Sequence, residues 1–345
     1  MSMAERRSES VASSAIEYAA VTERVALRVA PLGGAGTPER AYSLAMETLR
    51  RELAAMPFCG RVAILREERL NERGEVHSLV GSPGTLNVGD TIGTADPNEG
   101  EVDLAIEPIE GLTLLARGQQ GSIAAIAAAP RGTMLRTPDM YMSKLIVGPN
   151  SRGKIDIDAP VSENIQAIAE GYGRKPSEIT VAVLERERHE DLVEQIRATG
   201  ARIQLRQEGD LTPAIAVGLR GAGLHAIIGI GGAPEGILAA AVVRCLGGEM
   251  QAKMWPTQRS QVEKLKEYGL DDPEKKLTMD DLIQSSDVVF AATGITSGEI
   301  LNGVRYFRGG GRTHSVVMST EPRMVRFMDT IHALEPDAGT QGFQL

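Results

Sequence analysis

The sequence predicts an α/β protein built from two α/β units. After about residue 155, short runs rich in Val and Ile alternate with longer amphipathic segments, which is the rhythm of β-α-β units around a mostly parallel, helix-covered sheet. A chain of 345 residues is long enough to bury two cores, and its 42% apolar and 24% charged residues are ordinary for a globular protein. We place the boundary near residue 170, with one unit over 10–170 and the other over 171–335.

Two helices are expected before the first strand. Residues 10–30 repeat apolar side chains every three or four positions. A second helix is predicted after Thr37, the natural N-cap, with Pro38 at the first helical position and Glu39 in the positive first turn. Strands are then predicted at GRVAIL, EVDLAIEP and SIAAIAAAP, with a loop rich in Gly, Pro, Asn and Asp after the first of them.

The second half alternates regularly between helices and strands. Helices are predicted at APVSENIQAIAEGYG, HEDLVEQIRATG, TPAIAVGL and APEGILAAAVVRCLGG, the second ending at Gly200 and the last at Gly247. The strands ITVAVLE, ARIQLR and HAIIGI lie between them, and two further strands are predicted at DVVFAAT and THSVVMS.

Composition and charge exclude several classes of partner. Aromatic residues make up only 3% of the chain and the net charge is −9, which argues against nucleic acid and against an anionic membrane surface. Cys59 and Cys245 are too few for a disulfide framework and are interpreted as buried structural thiols, with a redox switch as the alternative. The N-terminal residues lack a signal-peptide pattern and no apolar run reaches 18 residues, so we expect a cytoplasmic protein.

Three acids stand where an α/β sheet carries ligands. Glu107 and Glu110 follow a predicted strand, around Pro108, and carboxylates so placed can converge on Mg²⁺ or Mn²⁺. An isolated pair of this spacing is more often two solvated carboxylates on a turn. Glu235 lies in GIGGAPEG, between a buried strand and a helix N-terminus, although glycine-rich turns of this kind also occur for packing reasons alone.

Charged residues also follow the next two predicted strands. Arg186 and Arg188 suit phosphate oxygens, and Glu208 and Asp210 could accept hydrogen bonds from sugar hydroxyls. Ordinary surface ion pairs are the alternative interpretation. His189 is interpreted as a residue at the start of a helix rather than as a general base.

Six longer segments carry a family resemblance: VDLAIEPIEG, TPDMYMSKLIVGP, GIGGAPEG, AAVVRCLGGEM, FAATGIT and GVRYFRGGGRTHS. In this order they resemble the class II fructose-1,6-bisphosphatases, including the cyanobacterial enzymes that also take sedoheptulose-1,7-bisphosphate. The resemblance runs from about residue 16 to residue 333. It implies the layered α/β sandwich of the lithium-sensitive sugar and inositol phosphatase superfamily, dependence on Mg²⁺ or Mn²⁺, a homo-oligomer, and removal of the 1-phosphate from a sugar bisphosphate.

The resemblance also implies roles for particular residues. It puts Glu107, Glu110 and Glu235 on metal-ligand positions, with Glu110 on a catalytic and substrate-contacting position as well. It puts the remaining candidates on sugar-phosphate-binding positions: Gly111, Tyr141, Arg186, Arg188, Glu208, Asp210 and Gly232.

Four positions depart from the family pattern. Tyr42 stands where the family has an Asp in its second helix, and Arg66 stands on a metal-binding Glu. Glu107 replaces an Asp and is one methylene longer. Leu112 replaces the Thr that positions and activates the attacking water. An acidic ligand changed to Arg inverts the local charge and repels a cation.

Rescue from nearby residues would require a rearranged chain. Thr113 points away from the side of Leu112 unless the register shifts, and Glu67 or Glu68 could reach a metal only through a different loop. Arg66 could instead pair with a phosphate directly and give metal-independent binding without turnover.

The leading hypothesis is therefore a protein that binds a sugar bisphosphate and has impaired or lost hydrolysis. The alternatives are an active Mg²⁺- or Mn²⁺-dependent bisphosphatase with a rearranged metal set, and a non-catalytic structural or regulatory subunit. Such a subunit could form a hetero-oligomer with an active paralogue.

Overall fold

The computed structural model describes residues 10–11, 15–66, 69–70, 76–77, 86–96 and 101–333. Its α-helices, in chain order, are α1 (Ala15–Val29), α2 (Pro38–Ala54), α3 (Leu112–Ala116), α4 (Val161–Tyr172), α5 (Glu190–Ala198), α6 (Leu211–Gly218), α7 (Ala233–Leu246), α8 (Arg259–Glu267) and α9 (Met279–Leu282). Its strands are β1 (Cys59–Leu65), β2 (Arg69–Leu70), β3 (Val76–His77), β4 (Thr91–Ile92), β5 (Glu101–Glu110), β6 (Ile123–Pro130), β7 (Tyr141–Val147), β8 (Thr180–Leu184), β9 (Arg202–Arg206), β10 (Ala226–Gly232), β11 (Glu249–Trp255), β12 (Val289–Gly294), β13 (Arg305–Phe307), β14 (Gly310–Thr320) and β15 (Arg323–Ala333).

The chain forms two compact units, and the predicted α/β class is confirmed. One unit comprises Met1–Thr133 together with Ser285–Leu345, and the other comprises Met134–Gln284. The predicted boundary near residue 170 lies inside the second unit, because β7 pairs with β10 and β11 there. In addition, β12 returns to the first unit and pairs with β6. The polypeptide therefore passes between the units twice rather than once.

The first unit is built on a mixed sheet. Its strand order is β13-β14-β12-β6-β5-β1-β4, with β15 on the outer side of β14. Only β1 and β5 run parallel among these described neighbours, so a mostly parallel sheet was the wrong prediction for β12 and β14. The apolar sides of α1 and α2 pack with the inner strands into one core.

The two N-terminal helices follow from their sequence. In α1 the apolar residues recur at helical spacing and are buried, with Tyr18 exposed to only 1%. Thr37 is the N-cap of α2 and Pro38 is its first residue, as predicted. The Thr37 hydroxyl makes no capping hydrogen bond in the described structure, so the fixed φ of Pro38 rather than a side-chain cap starts this helix.

The second unit contains a five-stranded sheet of order β11-β7-β10-β8-β9. The predicted parallel arrangement is confirmed for β8, β9 and β10. Strands β10 and β11 run in the same direction, but β7 lies between them and is antiparallel to both. A second core lies under α4 and α5.

Both cysteines are buried free thiols, as predicted. Burial and the nearby Glu101 carboxylate raise the pKa of Cys59, which keeps that thiol protonated. In the part of the chain that the structure describes, no helix has both the length and the apolarity needed to cross a membrane.

Candidate functional site

The predicted residues form two groups, one in each unit. The first group, called here the carboxylate pair, consists of Glu107 and Glu110 in the last four residues of β5. Both acids are buried, with exposed fractions of 2% and 5%. Carboxylates this deeply buried are rare in proteins unless they have a defined task or partner.

A bulge in β5 puts the carboxylate pair on one face of the sheet. Residues three apart on a regular strand point to opposite faces. Here Glu107 lies opposite Ala125 and Glu110 lies opposite Ile123, so three steps along β5 match only two steps along β6. The extra residue of the bulge shifts the alternation by one position, so that both carboxylates lie on the same face of the sheet. Pro108, which cannot donate to the ladder, is tolerated because the regular pairing is interrupted there.

The strand ends at a sharp turn into α3. Gly111 has a φ of 78°, the left-handed region that favours glycine, and its carbonyl accepts a hydrogen bond from Ser122 Oγ at 2.7 Å. Leu112 is the first residue of α3 and is 3% exposed, within the core of the first unit. A packed apolar side chain therefore occupies the position where the family resemblance predicts a hydroxyl.

Tyr42 and Arg66, the other two departures, are in direct contact. The Tyr42 hydroxyl donates to the backbone carbonyl of Arg66 at 2.9 Å, and the Arg66 N–H donates to the carbonyl of Ile106 at 3.0 Å. Because Ile106 precedes Glu107, these bonds hold the Arg66 backbone at the same end of the sheet as the carboxylate pair. Tyr42 and Leu112 also belong to one apolar core. Glu67 and Glu68 lie outside the described residues.

The described residues do not by themselves fit a complete cation site. Glu107 and Glu110 supply two oxygen-donor side chains, whereas Mg²⁺ prefers six oxygen ligands in an octahedron. Among the residues that the structure describes, no three Asp, Glu, His or Cys side chains are grouped to hold a metal ion. Arg66, where the family resemblance predicts an acid, brings a positive charge to this end of the sheet.

The second group lies at one edge of the five-stranded sheet, called here the ligand edge. The C-terminal ends of the parallel strands β8, β9 and β10 meet there, and the antiparallel strand β7 begins there, with Tyr141 opposite Gly232. Arg186 and Arg188 follow β8, and Glu208 and Asp210 follow β9. The structure thus brings the predicted sugar-phosphate residues of this unit to one edge, where open α/β sheets bind ligands.

Two guanidinium groups are held in place at the ligand edge. The Arg188 guanidinium carbon lies 4.7 Å from the centroid of the Tyr141 ring, and its Nη2 donates to the Ile230 carbonyl at 2.8 Å. Arg186 donates to the carbonyls of Glu185 and Gln207 at 2.8 and 2.7 Å. Each group has five N–H donors, so donors remain for phosphate oxygens.

A buried lysine at this edge was missed by the sequence analysis. Lys144 is 3% exposed, forms an ion pair with Asp210, and donates to the Gly232 carbonyl at 3.0 Å. Lys144 lies on the same face of β7 as the buried Met142 and Ile146, but this pattern can be read only once β7 is known to be a strand. A charge on a buried face requires a partner. Asp210, predicted to accept from a sugar hydroxyl, has at least part of its carboxylate engaged by Lys144.

Glu235 lies in the first turn of α7, where the positive end of the helix dipole favours a carboxylate. Gly232 precedes this helix, and a Cβ at that position would overlap the Glu235 carboxylate. A side chain at position 232 would therefore displace the Glu235 carboxylate from its present position. Glu235 belongs to the second unit, whereas the carboxylate pair belongs to the first.

His189 is the N-cap residue of α5, which confirms its interpretation as a helix-start residue. The ring is 1% exposed, and both of its nitrogens are engaged. Nε2 accepts from the Ile230 N–H at 2.8 Å, so a neutral ring carries its proton on Nδ1 and donates it to the Leu184 carbonyl at 2.7 Å. Burial lowers the pKa of His189 and keeps the ring neutral.

Three histidines with a lowered pKa predict a loss of stability in mild acid. Burial lowers the pKa of His189, His225 and His332 below the ordinary value of 6.5. Below that pH the unfolded chain binds more protons than the folded chain, so stability falls as the pH drops from 6.5 towards the folded pKa values. We expect a level Tm above neutral pH and a falling Tm below 6.5, measured by circular dichroism in buffers of equal ionic strength. A Tm that stays constant through this window would contradict the prediction.

Comparison with known proteins gives long matches over both units. A family model described as bacterial fructose-1,6-bisphosphatase, glpX-encoded, matches residues 12–332. The chain is 38% identical over 339 residues to a D-fructose 1,6-bisphosphatase class 2/sedoheptulose 1,7-bisphosphatase of Synechococcus sp. (strain JA-3-3Ab), covering 92% of this chain and 94% of that protein. It is 36% identical over 343 residues to the protein of the same name from Gloeobacter violaceus (strain ATCC 29082 / PCC 7421), covering 93% and 96%.

Proposed function

Because the chain belongs to the class II fructose-1,6-bisphosphatase family, we propose that it binds a sugar bisphosphate and hydrolyses the 1-phosphate slowly or not at all. The observation that carries this proposal is the burial of Leu112 and Tyr42 in the core of the first unit, Leu112 at the position where the family resemblance implies a water-activating hydroxyl. Binding and hydrolysis depend on different residues, so one can persist without the other.

Retained binding is supported by the ligand edge. The relatives are named for fructose 1,6-bisphosphate and sedoheptulose 1,7-bisphosphate, so the substrate class carried over is a sugar bisphosphate. Arg186 and Arg188 are positioned by backbone carbonyls, and guanidinium groups suit phosphate oxygens. Tyr141 is 42% exposed, and the Arg188 guanidinium lies over its ring.

Impaired hydrolysis is supported by three of the four departures taken together. Leu112 has no hydroxyl with which to orient water. The phenol of Tyr42 is neutral and donates to the Arg66 carbonyl, where a carboxylate would have attracted a cation. Arg66 adds a positive charge in place of a ligand. In phosphoryl transfer most of the catalysis comes from positioning the reactants and from stabilising charge. Leu112, Tyr42 and Arg66 cannot position the attacking water or bind a cation as the implied family residues would.

A second candidate, an active enzyme with a rearranged metal set, is favoured by one observation. Glu107 and Glu110 remain buried on one face of the sheet, where they could hold a divalent cation together with waters and a substrate phosphate. Mg²⁺ or Mn²⁺ bound there would polarise the phosphoryl group. Phosphate release from fructose-1,6-bisphosphate with either ion separates this candidate from the first.

We also propose that copies of the chain associate through the outer strand β15. Val325, Phe327 and Ile331 are apolar, more than a third exposed, and lie on one face of the strand, which also carries the charged Asp329. A row of such side chains on an edge strand is typical of a surface that another protein covers. A homo-oligomer is the assembly implied by the family, and a hetero-oligomer with an active paralogue is the alternative.

The layered α/β architecture of the lithium-sensitive phosphatases is the finer fold that we propose.

Substitution of Arg188 should weaken binding of fructose-1,6-bisphosphate about 10-fold to 100-fold, since a hydrogen bond to a charged group contributes about 1.5–3 kcal/mol. The measurement is isothermal titration of the Arg188→Met variant, supported by the ligand-induced rise in Tm. The matched control is Arg197→Met, an exposed arginine on α5 away from the ligand edge. Titrations are run with and without Mn²⁺. If neither sugar bisphosphate stabilises the unmodified protein under either condition, sugar-bisphosphate binding is contradicted.

A further inference from the structure

A cavity of about 510 Å³ opens at the edge of the second sheet opposite the ligand edge. His225, which directly precedes β10, lines it, whereas the ligand edge lies at Gly232, the other end of the same strand. Seven residues of extended chain separate the two sites by about 20 Å. The cavity is therefore distinct from the ligand edge, and no role assigned so far uses it.

His225 points a hydrogen-bond donor into this cavity. Its Nδ1 accepts from the Thr180 backbone N–H at 3.0 Å, so the proton of a neutral ring must lie on Nε2. Nε2 lies 3.1 Å from Nη1 of Arg174, and a guanidinium nitrogen can only donate. Two donors thus face each other without an acceptor between them. An anion oxygen placed against both would convert this opposition into two hydrogen bonds.

The cavity lining is positively charged in a chain of net charge −9. Arg174, Arg220 and His225 contribute to it, and none of the lining residues is an Asp or Glu. Neither arginine forms an ion pair within the part of the chain that the structure describes. Burial and the charge of Arg174 lower the pKa of His225, which keeps the ring neutral. The single proton of the neutral ring lies on Nε2.

Three helix ends oppose an anion here and must be weighed against these donors. Tyr172, Gly218 and Leu246 are the last residues of α4, α6 and α7, and all three line the cavity. Each helix end carries about half a negative charge, but its carbonyls already accept capping N–H groups. The two arginines carry whole charges on side chains that can move towards a ligand. The balance favours an anion close to Arg174 and His225.

We propose that this cavity binds a small metabolite through a phosphate or carboxylate group, held between the Arg174 guanidinium, the His225 Nε2–H and Arg220. The volume exceeds what one phosphate needs. Val217 and Leu224 give the remaining space apolar walls, which suit the compact body of such a metabolite. A ligand about 20 Å from the ligand edge would act as an effector rather than as a substrate. This inference does not depend on whether the protein hydrolyses sugar bisphosphates.

The test follows the His225 ring by NMR during titration with inorganic phosphate. The chain has five histidines, and the spectrum of protein with ¹⁵N-labelled histidine, compared with that of the His225→Gln variant, identifies the His225 signals. Ionic strength is held constant with chloride so that screening does not change. We expect the Nε2 resonance to shift with phosphate, and about a 10-fold weaker response in Arg174→Gln and in Arg220→Gln. Arg197→Gln, an exposed arginine outside the cavity, is the charge-matched control and should respond normally.

Phosphate can also reach the ligand edge, so an Arg186→Gln/Arg188→Gln variant is titrated in parallel. The proposal requires its His225 response to remain unchanged. A His225 signal that does not move at phosphate up to about 50 mM, or that moves equally in all variants, would overturn the proposal. Arg174 and Arg220 are exposed, and circular dichroism checks that their variants fold.

Discussion

Purified protein should release phosphate from fructose-1,6-bisphosphate at least about 100-fold more slowly than a curated relative assayed beside it with Mn²⁺ or Mg²⁺. Removal of a single group that stabilises charge in the transition state commonly costs about 10²–10³ in rate. On the proposed assignment, Leu112, Arg66 and Tyr42 replace three groups that would act together, and such losses do not simply multiply. The expected decrease in rate, at least about 100-fold, is therefore the decrease for the loss of one group rather than of three.

The assay needs a control in each direction. In a relative that carries the threonine implied by the family resemblance at the position of Leu112, a change of that threonine to leucine should lower the rate by a similar factor. In this chain, the restored variant is Leu112→Thr/Arg66→Glu/Tyr42→Asp. Its matched control carries Leu112→Val in place of Leu112→Thr, because valine has the shape of threonine without the hydroxyl. A rate that rises with threonine and not with valine assigns the effect to the hydroxyl.

Restoration will also destabilise the first unit. Tyr42 is 3% exposed, and Tyr42→Asp places a carboxylate in an apolar core while breaking the bond to the Arg66 carbonyl. Leu112→Thr removes packed methyl groups from the same core. The Tm of each variant must therefore be known before its rate is interpreted. Turnover by the unmodified chain at the relative's rate would contradict impaired hydrolysis and favour the rearranged metal set.

The sequence predicted the parts of the site that depend on local pattern. The strand EVDLAIEP, the helix after Thr37 and the glycine-rich turn before Glu235 all have strong local signals, and the structure has them at those places. The shared location of Tyr42 and Arg66 came from the family resemblance, and their hydrogen bond confirms that they meet.

Features that depend on distant residues were not predictable in the same way. The bulge that aligns Glu107 with Glu110 is defined by the register against β6. Strand β7 was not recognised, because a lysine and three polar or sulfur-containing residues obscure its apolar alternation. Without β7 the second sheet could not be assembled, and the boundary was therefore placed inside the second unit. Residue periodicity does not encode which strands become neighbours.

The ion pair between Lys144 and Asp210 is another such distant contact, and breaking it should have the largest effect on stability. Both side chains are less than a tenth exposed, and they connect β7 to the start of α6. The Lys144→Met variant leaves a buried carboxylate without its cation, which typically costs about 3–5 kcal/mol. Methionine keeps the length of the apolar stem, so the loss reports charge rather than volume.

The measurement is urea unfolding followed by fluorescence of Trp255, the only tryptophan in the chain. Trp255 ends β11 in the same sheet as Lys144, so its signal reports the second unit even if the two units unfold separately. Lys253→Met is the matched control, because Lys253 pairs with Asp158 and Glu274 in a more exposed ion pair and should change the midpoint little.

A double variant identifies the cause of the destabilisation. In Lys144→Met/Asp210→Asn the buried charge is gone, so much of the lost stability should return. If the single and double variants are equally unstable, the stability comes from Lys144 bonding to the Gly232 carbonyl and from packing, not from the ion pair. Recovery in the double variant would instead mean that β7 and α6 are joined by a charge pair whose two members must be kept together. It would also mean that Asp210 at the ligand edge serves to hold Lys144 as much as to meet a sugar.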